Sequence, residues 1–535
     1  MQKEIGSNFW LSPHEVNTDY ALPQSISPSI FGCVGSDFVW MSTGRSATAL
    51  VIKTIEERNP RINKTVCLPP FTCHTVFEPF IEAGYRVVTF PIGEDLMAND
   101  TEIIKYALDN NAGIVLFHKY FGFDTIRDLG KTNTELRSHN IITIEDTTQS
   151  LYSSFVPSHA DYCVASIRKW CGVPDGGFAV CREGNFNIRP TEYDKKLGFA
   201  KVEASLQKHN WIINGIGDKE TFLKKYREAE DILNTQNNFH TINPLSLAIQ
   251  FHQLDTNRLK ERRRKNFLTL LSSIKNINGI KPVFNSLSEE VVPLYFPIYC
   301  MDRNATQTLL AQNDIFAPIV WPKADNCPEI CQEAEEIYNH ILCIPIDQRY
   351  DTDDMERIVN VLKCGLLWTG WMTWEQIEPF KEQLIDWELE VMVKYHYPDK
   401  VISRDYPASR VEYLKDYLDS GNTFFWGAVE NGKLLGYYWA FVSDFLGYKR
   451  WQSRSSYTAE SARGRGISKL AHQAALEKAI ELNCDEAVSS YAYFNKAISH
   501  IYKNLGFKPS RIEIVKKLKK EDKITPPPRE KSDNQ

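Results

Sequence analysis

Several features are missing from this sequence, and each absence excludes a class of protein. No apolar run approaches the ~20 residues that a membrane helix needs, so no membrane span or membrane partner is expected. Basic residues are not in excess: 62 Lys and Arg stand against 68 Asp and Glu, for a net charge of −6. That balance argues against a broad nucleic-acid-binding surface. The first residues, MQKEIGSNFWLSPHEV, lack a basic stretch followed by an apolar core, so no secretory signal is expected and the protein reads as cytoplasmic. The twelve cysteines lack paired CxxC spacing, which leaves no zinc frame and no metal site to propose. They read as small buried hydrophobes in a reducing compartment. Cys327 and Cys331, spaced like neighbours on one helix, are read as structural. No internal repeat is visible.

The chain has 535 residues, beyond the size at which one hydrophobic core keeps growing, so at least two domains are expected. Strand-like runs at 66–69, 86–91, 113–118, 141–145, 162–166 and 178–181 alternate with amphipathic helices. Ahead of the first of these runs, Ala47, Leu50, Val51 and Ile55 recur at the helical period. Such alternation implies a mostly parallel sheet covered by helices, with ligands bound beyond the carboxyl ends of its strands. Residues 195–275 read as long and helical, and the charge run Arg262-Arg263-Arg264-Lys265 as a solvated face. Strands return at 291–299 and 341–346, and a helix follows near 353–364; together they read as a smaller α+β lobe. The pattern ends at 364–371. Beyond it come a helical segment and strand-like runs at 423–429 and 434–442. Asn431-Gly432 between those runs signals a hairpin. Strand, glycine turn, helix, strand and helix close the chain, before a charged, proline-rich tail expected to be disordered.

Two groups of residues carry chemistry. Asp146 ends one strand-like run, and Lys169 follows the next. A carboxylate and an amine so placed would meet beyond the carboxyl ends of neighbouring strands. Thr43-Gly44-Arg45-Ser46 precedes a helix, whose free N–H groups and positive dipole end suit a phosphate. The same residues also read as an ordinary N-cap. Alone, Asp146 reads equally well as a strand-end turn carboxylate; Lys169 in register weighs against that. The ordered set is Thr43-Gly44-Arg45-Ser46, Pro69-Pro70-Phe71-Thr72-Cys73, Tyr120-Phe121-Gly122, Glu145-Asp146-Thr147-Thr148-Gln149-Ser150, Ser166-Ile167-Arg168-Lys169 and Gly176-Gly177. It resembles the DegT/DnrJ/EryC1/StrS sugar aminotransferases, fold-type I enzymes that use pyridoxal 5'-phosphate. The resemblance implies that Lys169 joins covalently to the cofactor aldehyde and later moves a proton as a free amine. It implies that Asp146 pairs with the ring nitrogen, that Ser166 and the Gly44–Arg45–Ser46 turn hold the phosphate, and that Gln149 reaches the ring oxygen side. Family members often stack a large aromatic on the ring near Cys73. Here Phe71, Cys73 and His74 all stand as candidates. Lysine rather than histidine at 169 favours transamination over dehydration.

The second group is Arg463-Gly464-Arg465-Gly466-Ile467-Ser468, a glycine turn opening a helix whose buried stripe is expected at Ile467, Leu470, Ala471 and Ala474. Asn495 and Tyr502 follow. Residues ~375–515 thereby resemble the GCN5-related N-acetyltransferase (GNAT) superfamily. The resemblance implies that Arg463, Gly464, Arg465, Gly466 and Ser468 hold the pyrophosphate of acetyl-CoA, that Asn495 assists, and that Tyr502 protonates the departing thiolate. Glu460 is a candidate base, though a solvated strand-end glutamate is the plainer reading.

The expected organisation is an aminotransferase-like domain over 1–365, with a large lobe at about 30–275 and a small lobe at about 276–365. A linker at 366–374, an α+β GNAT domain at 375–515 and a disordered tail at 516–535 follow. One unit makes an amine and the next consumes one. The expected function is therefore amination of a nucleotide-linked keto sugar, with L-glutamate as donor, followed by N-acetylation. The alternatives are a second domain that acetylates an unrelated amine or only binds a ligand. The family resemblance also implies a homodimer.

Overall fold

The computed structural model describes residues 4–17, 26–155, 158–234, 239–274, 277, 279–430 and 432–511. Asn431 of the expected hairpin turn, residues 512–515 and the expected disordered tail at 516–535 lie outside the described residues. The chain divides into two compact units, Met1–Thr369 with Val429–Lys433, and Gly370–Ala428 with Leu434–Gln535. Among the described residues no helix is long and apolar enough to cross a membrane.

The first unit holds β1 (Ile5–Gly6), β2 (Asp37–Met41), β3 (Thr65–Leu68), β4 (Arg86–Thr89), β5 (Ile114–His118), β6 (Ile142–Asp146), β7 (Tyr162–Ser166) and β8 (Gly177–Cys181). Later in the same unit come β9 (Ile280–Pro282), β10 (Phe296–Cys300), β11 (Ile315–Phe316) and β12 (Ile341–Ile344). Seven of these form one sheet in the order β2-β8-β7-β6-β5-β3-β4. Pairing is parallel from β4 through β7. β8 runs antiparallel to both β7 and β2. The mostly parallel sheet expected from the sequence is therefore present. β2 is an addition to it, an apolar run at 38–41 that is not among the strands expected from the sequence.

Both faces of this sheet are covered, so a central strand such as β5 is buried along its whole length. Val115 and Phe117 of β5 enter one core cluster, while Ile114 and Leu116 enter the other. That is the two-residue alternation of a strand acting on both sides of the sheet. The helix Gly44–Arg58 covers the second face through Ala47, Leu50, Val51 and Ile55, all fully buried. The smaller lobe is an antiparallel sheet in the order β12-β10-β9.

Two expectations are corrected. The run Arg262–Lys265 is not uniformly solvated: Arg263 on the helix Thr256–Ile274 is 1% exposed. Its guanidinium lies 4.7 Å over the Trp170 ring and donates to the Leu294 carbonyl at 2.8 Å and to Gln348 Oε1 at 3.1 Å. One basic residue in four faces the core because a helix turns every position in such a run a different way. Cys327 and Cys331 do not share a helix. Cys327 lies in a loop, and Cys331 precedes the helix Gln332–His340.

In the second unit β13 (Trp368–Trp371), which straddles the unit boundary, β14 (Thr423–Glu430), β15 (Lys433–Phe445), β16 (Tyr448–Thr458) and β17 (Glu486–Val488) form a sheet in that order. β15 and β16 are antiparallel, and β16 and β17 parallel.

Burial of Arg263 is open to test. Arg263→Ala should lower stability by about 3 kcal/mol, because it empties volume and strands buried acceptors. Lys265→Ala, on the same run but exposed, should change stability by less than about 0.5 kcal/mol. Urea titrations of both variants measure the contrast; equal effects would contradict the assignment.

Candidate functional site

β6 and β7 end side by side. Asp146 closes β6 opposite Val164 of β7, and on its other side it faces His118 of β5. β7 runs into a short turn, Ile167–Lys169, that brings Lys169 back over the strand ends. The two loops are tied together by Thr148. Its N–H donates to Asp146 Oδ1 at 2.9 Å, its hydroxyl accepts the Ser166 N–H at 2.9 Å, and its carbonyl accepts the Trp170 indole N–H at 2.7 Å. Gly176 and Gly177 make room: a Cβ on Gly177 would stand 2.5 Å from the Thr43 carbonyl carbon.

Burial pushes the Asp146 carboxyl up from the usual carboxylate range; the Thr148 hydrogen bonds and the Lys169 charge oppose that shift. Burial, and then the Arg168 guanidinium, push the Lys169 amine down, while Cys73 and Glu230 oppose. The Lys169 side chain stays accessible from a cavity of about 520 Å³ whose walls include Arg263, Tyr295, Asp347 and Arg349. Asp146 and Ser166 are not part of that lining. An amine held toward its neutral form is a nucleophile for an aldehyde.

The helix Gly44–Arg58 begins against the same turn. A Cβ on Gly44 would come 3.3 Å from Ser166 Cβ, a tight contact, so glycine eases the approach of the helix end. Thr43 and Ser46 form a capping box that uses the N–H groups of Ser46 and Thr43. Those of Gly44 and Arg45 lie outside it, at the positive end of a fifteen-residue helix. The Arg45 side chain turns elsewhere, to Glu78 and Asn234. Ser166 is buried and its hydroxyl lies 3.4 Å from the Gly176 carbonyl.

Gln149 is buried and its Oε1 accepts the Phe121 N–H at 2.8 Å, which holds Phe121 in a left-handed conformation, φ 53°. Of the three residues considered for stacking on a ring, Phe71 is spent in an aromatic cluster with Tyr120, Trp321 and Tyr338, and His74 is exposed. Cys73, half-buried, is the one whose charge bears on Lys169.

Sequence reasoning missed three participants. Arg349 lines the Lys169 cavity and grips Asp347, donating also to the carbonyls of Ser7 and Asn8. Lys208, buried and pushed down to about 7 by that burial, donates to Ser7 Oγ and the Asn8 carbonyl. These two cations fasten residues 7–8 beside the cavity. The third is His118, buried next to Asp146, with Nε2 3.0 Å from Thr72 Oγ1 and Nδ1 unpaired. None of the three sits in a motif.

In the second unit, Gly464 and Gly466 have φ of 84° and 79°, the left-handed region that glycine supplies. They set the turn before the helix Ile467–Glu481. Arg463, Gly464, Arg465 and Gly466 are all exposed, so the turn is open to a ligand. Arg463 pairs with Glu460 at 2.9 Å, and both lie at the surface. The buried stripe of the helix is Ile467, Ala471, His472, Ala475 and Ala479; Leu470, expected in it, is exposed. Asn495 caps the next helix, Lys496–Asn504, accepting the Ile498 N–H. Tyr502 on that helix is buried, and its hydroxyl contacts His472 Nε2 at 3.2 Å and Ser489. His472 Nδ1 lies 2.7 Å from the Ser468 carbonyl, so it links the glycine turn to Tyr502. Burial pushes the Tyr502 hydroxyl up, against hydrogen bonding with Ser489 and Ser453. It therefore stays protonated at neutral pH. Among the described residues no cluster of His, Cys, Asp or Glu is arranged to hold a metal ion.

His118 gives a pH test. Burial holds its folded-state value at about 3, below its ordinary 6.5. The unfolded chain thus binds the extra proton first, and the stability His118 contributes is present above about pH 6.5 and lost as pH falls toward 3. Wild type should lose stability more steeply than His118→Gln between about pH 6.5 and 4, measured by urea midpoints. Parallel curves would count against a buried neutral imidazole.

Comparison with known proteins adds the following. Residues 383–507 match the acetyltransferase (GNAT) family. An uncharacterised N-acetyltransferase, YdgE of Bacillus subtilis (strain 168), is 27% identical over 101 residues, 19% of this chain. The chain spans 64% of that relative's length. Among solved structures, the chain is similar to Helicobacter pylori PseC, an aminotransferase involved in the biosynthesis of pseudoaminic acid (TM-score 0.49, 14% identity, 68% of this chain and 98% of that one). It is also similar to the sugar aminotransferase CalS13 from Micromonospora echinospora (TM-score 0.47, 15% identity, 67% and 98%). A third is E. coli GDP-4-keto-6-deoxy-D-mannose-3-dehydratase with bound hydrated pyridoxal phosphate (TM-score 0.45, 17% identity, 63% and 89%). With its glycine turn, buried tyrosine and family match together, the C-terminal part of the chain is a GNAT acetyltransferase domain.

Proposed function

We propose that the chain is a bifunctional enzyme of nucleotide-sugar biosynthesis. The first unit would transfer an amino group, from L-glutamate, to a nucleotide-linked keto sugar with pyridoxal phosphate. The second would acetylate the resulting amine from acetyl-CoA. We place the linker at 366–374 and take the working form to be a cytoplasmic homodimer. The observation that carries the first half is Lys169 held within electrostatic reach of Asp146 beyond the ends of adjacent parallel strands. The keto-sugar substrate and the glutamate donor rest on the motif resemblance.

The residues fit the cofactor. The Gly44 helix end offers a close cradle for a phosphate, Asp146 a carboxylate for a ring nitrogen, and Lys169 an amine for an aldehyde. When bound, the cofactor supplies an electron sink for the carbon next to the reacting nitrogen. Lys169 Nζ would anchor the aldehyde, then carry a proton to and from the substrate carbon. Burial and Arg168 favour the neutral amine that such a task requires. Asp146, costly to ionise in isolation, would become favourably ionised opposite a protonated ring nitrogen.

In the second unit the amine nitrogen would bond to the acetyl carbon while the carbon–sulfur bond breaks. The Tyr502 hydroxyl would give the departing thiolate its proton, and the amine would lose its own to solvent. A buried, protonated tyrosine suits that role.

Lys169→Ala should give colourless protein without amination, read by absorbance and by mass spectrometry of the sugar product. Asp146→Asn should keep cofactor yet lose about 10²-fold or more in amination rate. Normal amination by either variant would overturn the site. Tyr502→Phe should lower acetyl transfer by ~10²–10⁴-fold while calorimetry shows acetyl-CoA still bound. Binding without any turnover in wild type would make the second unit a binding module instead.

A further inference from the structure

β16 is interrupted at one residue. Trp439 of β15 pairs with Ser455 and Ala440 with Ser453, so Arg454 has no opposite number. A bulge of this kind re-aims the extra side chain, and bulges gather beside active sites. The Arg454 guanidinium lies 4.9 Å over the Trp439 ring. Among the described residues it makes no hydrogen bond and no ion pair within 4 Å. A second guanidinium, Arg410 from the helix Asp405–Glu412, lies 6.0 Å from the same ring.

The charges here do not cancel. Arg410 pairs with Glu388 at 3.4 Å, and Glu388, 2% exposed, also accepts the Tyr437 hydroxyl. One carboxylate thus serves two arginines, and the Arg410 Nε is buried without a hydrogen-bond partner. Burial and then the Arg410 charge make Arg454 less ready to hold its proton. Two like charges kept together are relieved by an anion that takes both forks, and guanidinium geometry matches phosphate oxygens. Around them Tyr406 and Tyr417, which also bear on Arg454 electrostatically, keep 57% and 48% of their surfaces exposed. Exposed rings beside a cationic fork suit a flat heterocycle attached to a phosphate. A plain carboxylate would leave the rings unused.

The position also bears on the reaction. Ser453, the residue before Arg454, bonds to the Tyr438 hydroxyl and helps ease the Tyr502 hydroxyl. Tyr438, bonded to Ser453, faces the Tyr502 side of the sheet, while Trp439 and with it Arg454 face the Glu388–Arg410 side, so an anion held at Arg454 would lie across the strand from the proton donor's network. We propose that Arg454 and Arg410, with Trp439, Tyr406 and Tyr417, form the acceptor subsite of the acetyltransferase unit, and that its acceptor is an amine bearing a nucleoside diphosphate. This rests on the acetyltransferase reading above and assigns residues to its acceptor.

The test is steady-state acetyl transfer by the full chain, with a UDP-linked amino sugar and with the same amino sugar lacking UDP. The linked acceptor should have kcat/KM higher by about tenfold to a hundredfold, the scale of charge-assisted hydrogen bonds. UDP should inhibit competitively against it. Arg454→Gln should raise the acceptor KM and the UDP inhibition constant by about tenfold, with Arg454→Lys between, while the acetyl-CoA KM holds. Equal kcat/KM for the two acceptors, or an unchanged acceptor KM in Arg454→Gln, would overturn the subsite and leave the acetyltransferase reading standing. If neither amine is acetylated and acetyl-CoA does not bind, that reading fails, and UDP calorimetry then decides the subsite alone. Loss of a binding event in Arg454→Gln supports it; identical isotherms overturn it.

Discussion

The parallel pairing of β6 with β7 is the constraint on which the first site depends. Ile144 lies opposite Tyr162 and Asp146 opposite Val164, so the two strands deliver Asp146 and the Lys169 turn to one end of the sheet. A slip of one residue would send Asp146 to the other face. The two faces pack against different clusters, so a slip would exchange side chains fitted to one for side chains fitted to the other. Thr148 then bolts the loops together through a donor, a hydroxyl and a carbonyl, and the Gly176-Gly177 pair lets β8 come close enough to close the turn.

The second unit uses the opposite device. Where the first site needs an unbroken ladder, the acetyltransferase sheet breaks its own at Arg454. On one side of the break lies the hydrogen-bonded chain Ser468, His472, Tyr502 and Ser489, in which burial keeps the Tyr502 hydroxyl protonated. At the break itself lie two arginines with one shared carboxylate.

The sequence showed the fold well wherever residues act through periodicity. Ala47, Leu50, Val51 and Ile55 pointed to the helix, and the apolar runs pointed to the sheet, because burial on both faces leaves a plain pattern. β2 was overlooked although 38–41 is apolar and rich in strand formers; it precedes the helix Gly44–Arg58, outside the alternating pattern that begins at 66. Arg263 was misread, since a run of like charges hides which position turns inward. At the candidate sites, the residues named from local motifs fall where the motifs put them: Lys169 and Asp146 beyond adjacent strands, Gly464 and Gly466 in a left-handed turn. Arg349, Lys208, His118 and His472 were not, because their meaning lies in contacts between distant segments. Leu470 was placed on the wrong face of its helix, where the true stripe continues through His472. Gln149 and Asn495 were assigned to ligands, and in the fold their carbonyl oxygens already serve the backbone.

Phe121 shows what such distant contacts cost in time. A bulky residue in the left-handed region is unfavourable by itself, and two bonds hold it there. One comes from Gln149, beyond the following strand; the other is the Leu294 N–H on the Phe121 carbonyl, supplied by the segment leading into β10. Neither partner is near when this corner of the chain first collapses. Closing loops of such length precedes any reward from the contacts they make, so the Phe121 corner sets late, after the small lobe has docked on the large one. Refolding of the first unit would then be ordered: the central strands can pair early, and the Phe121 corner acquires its final shape late.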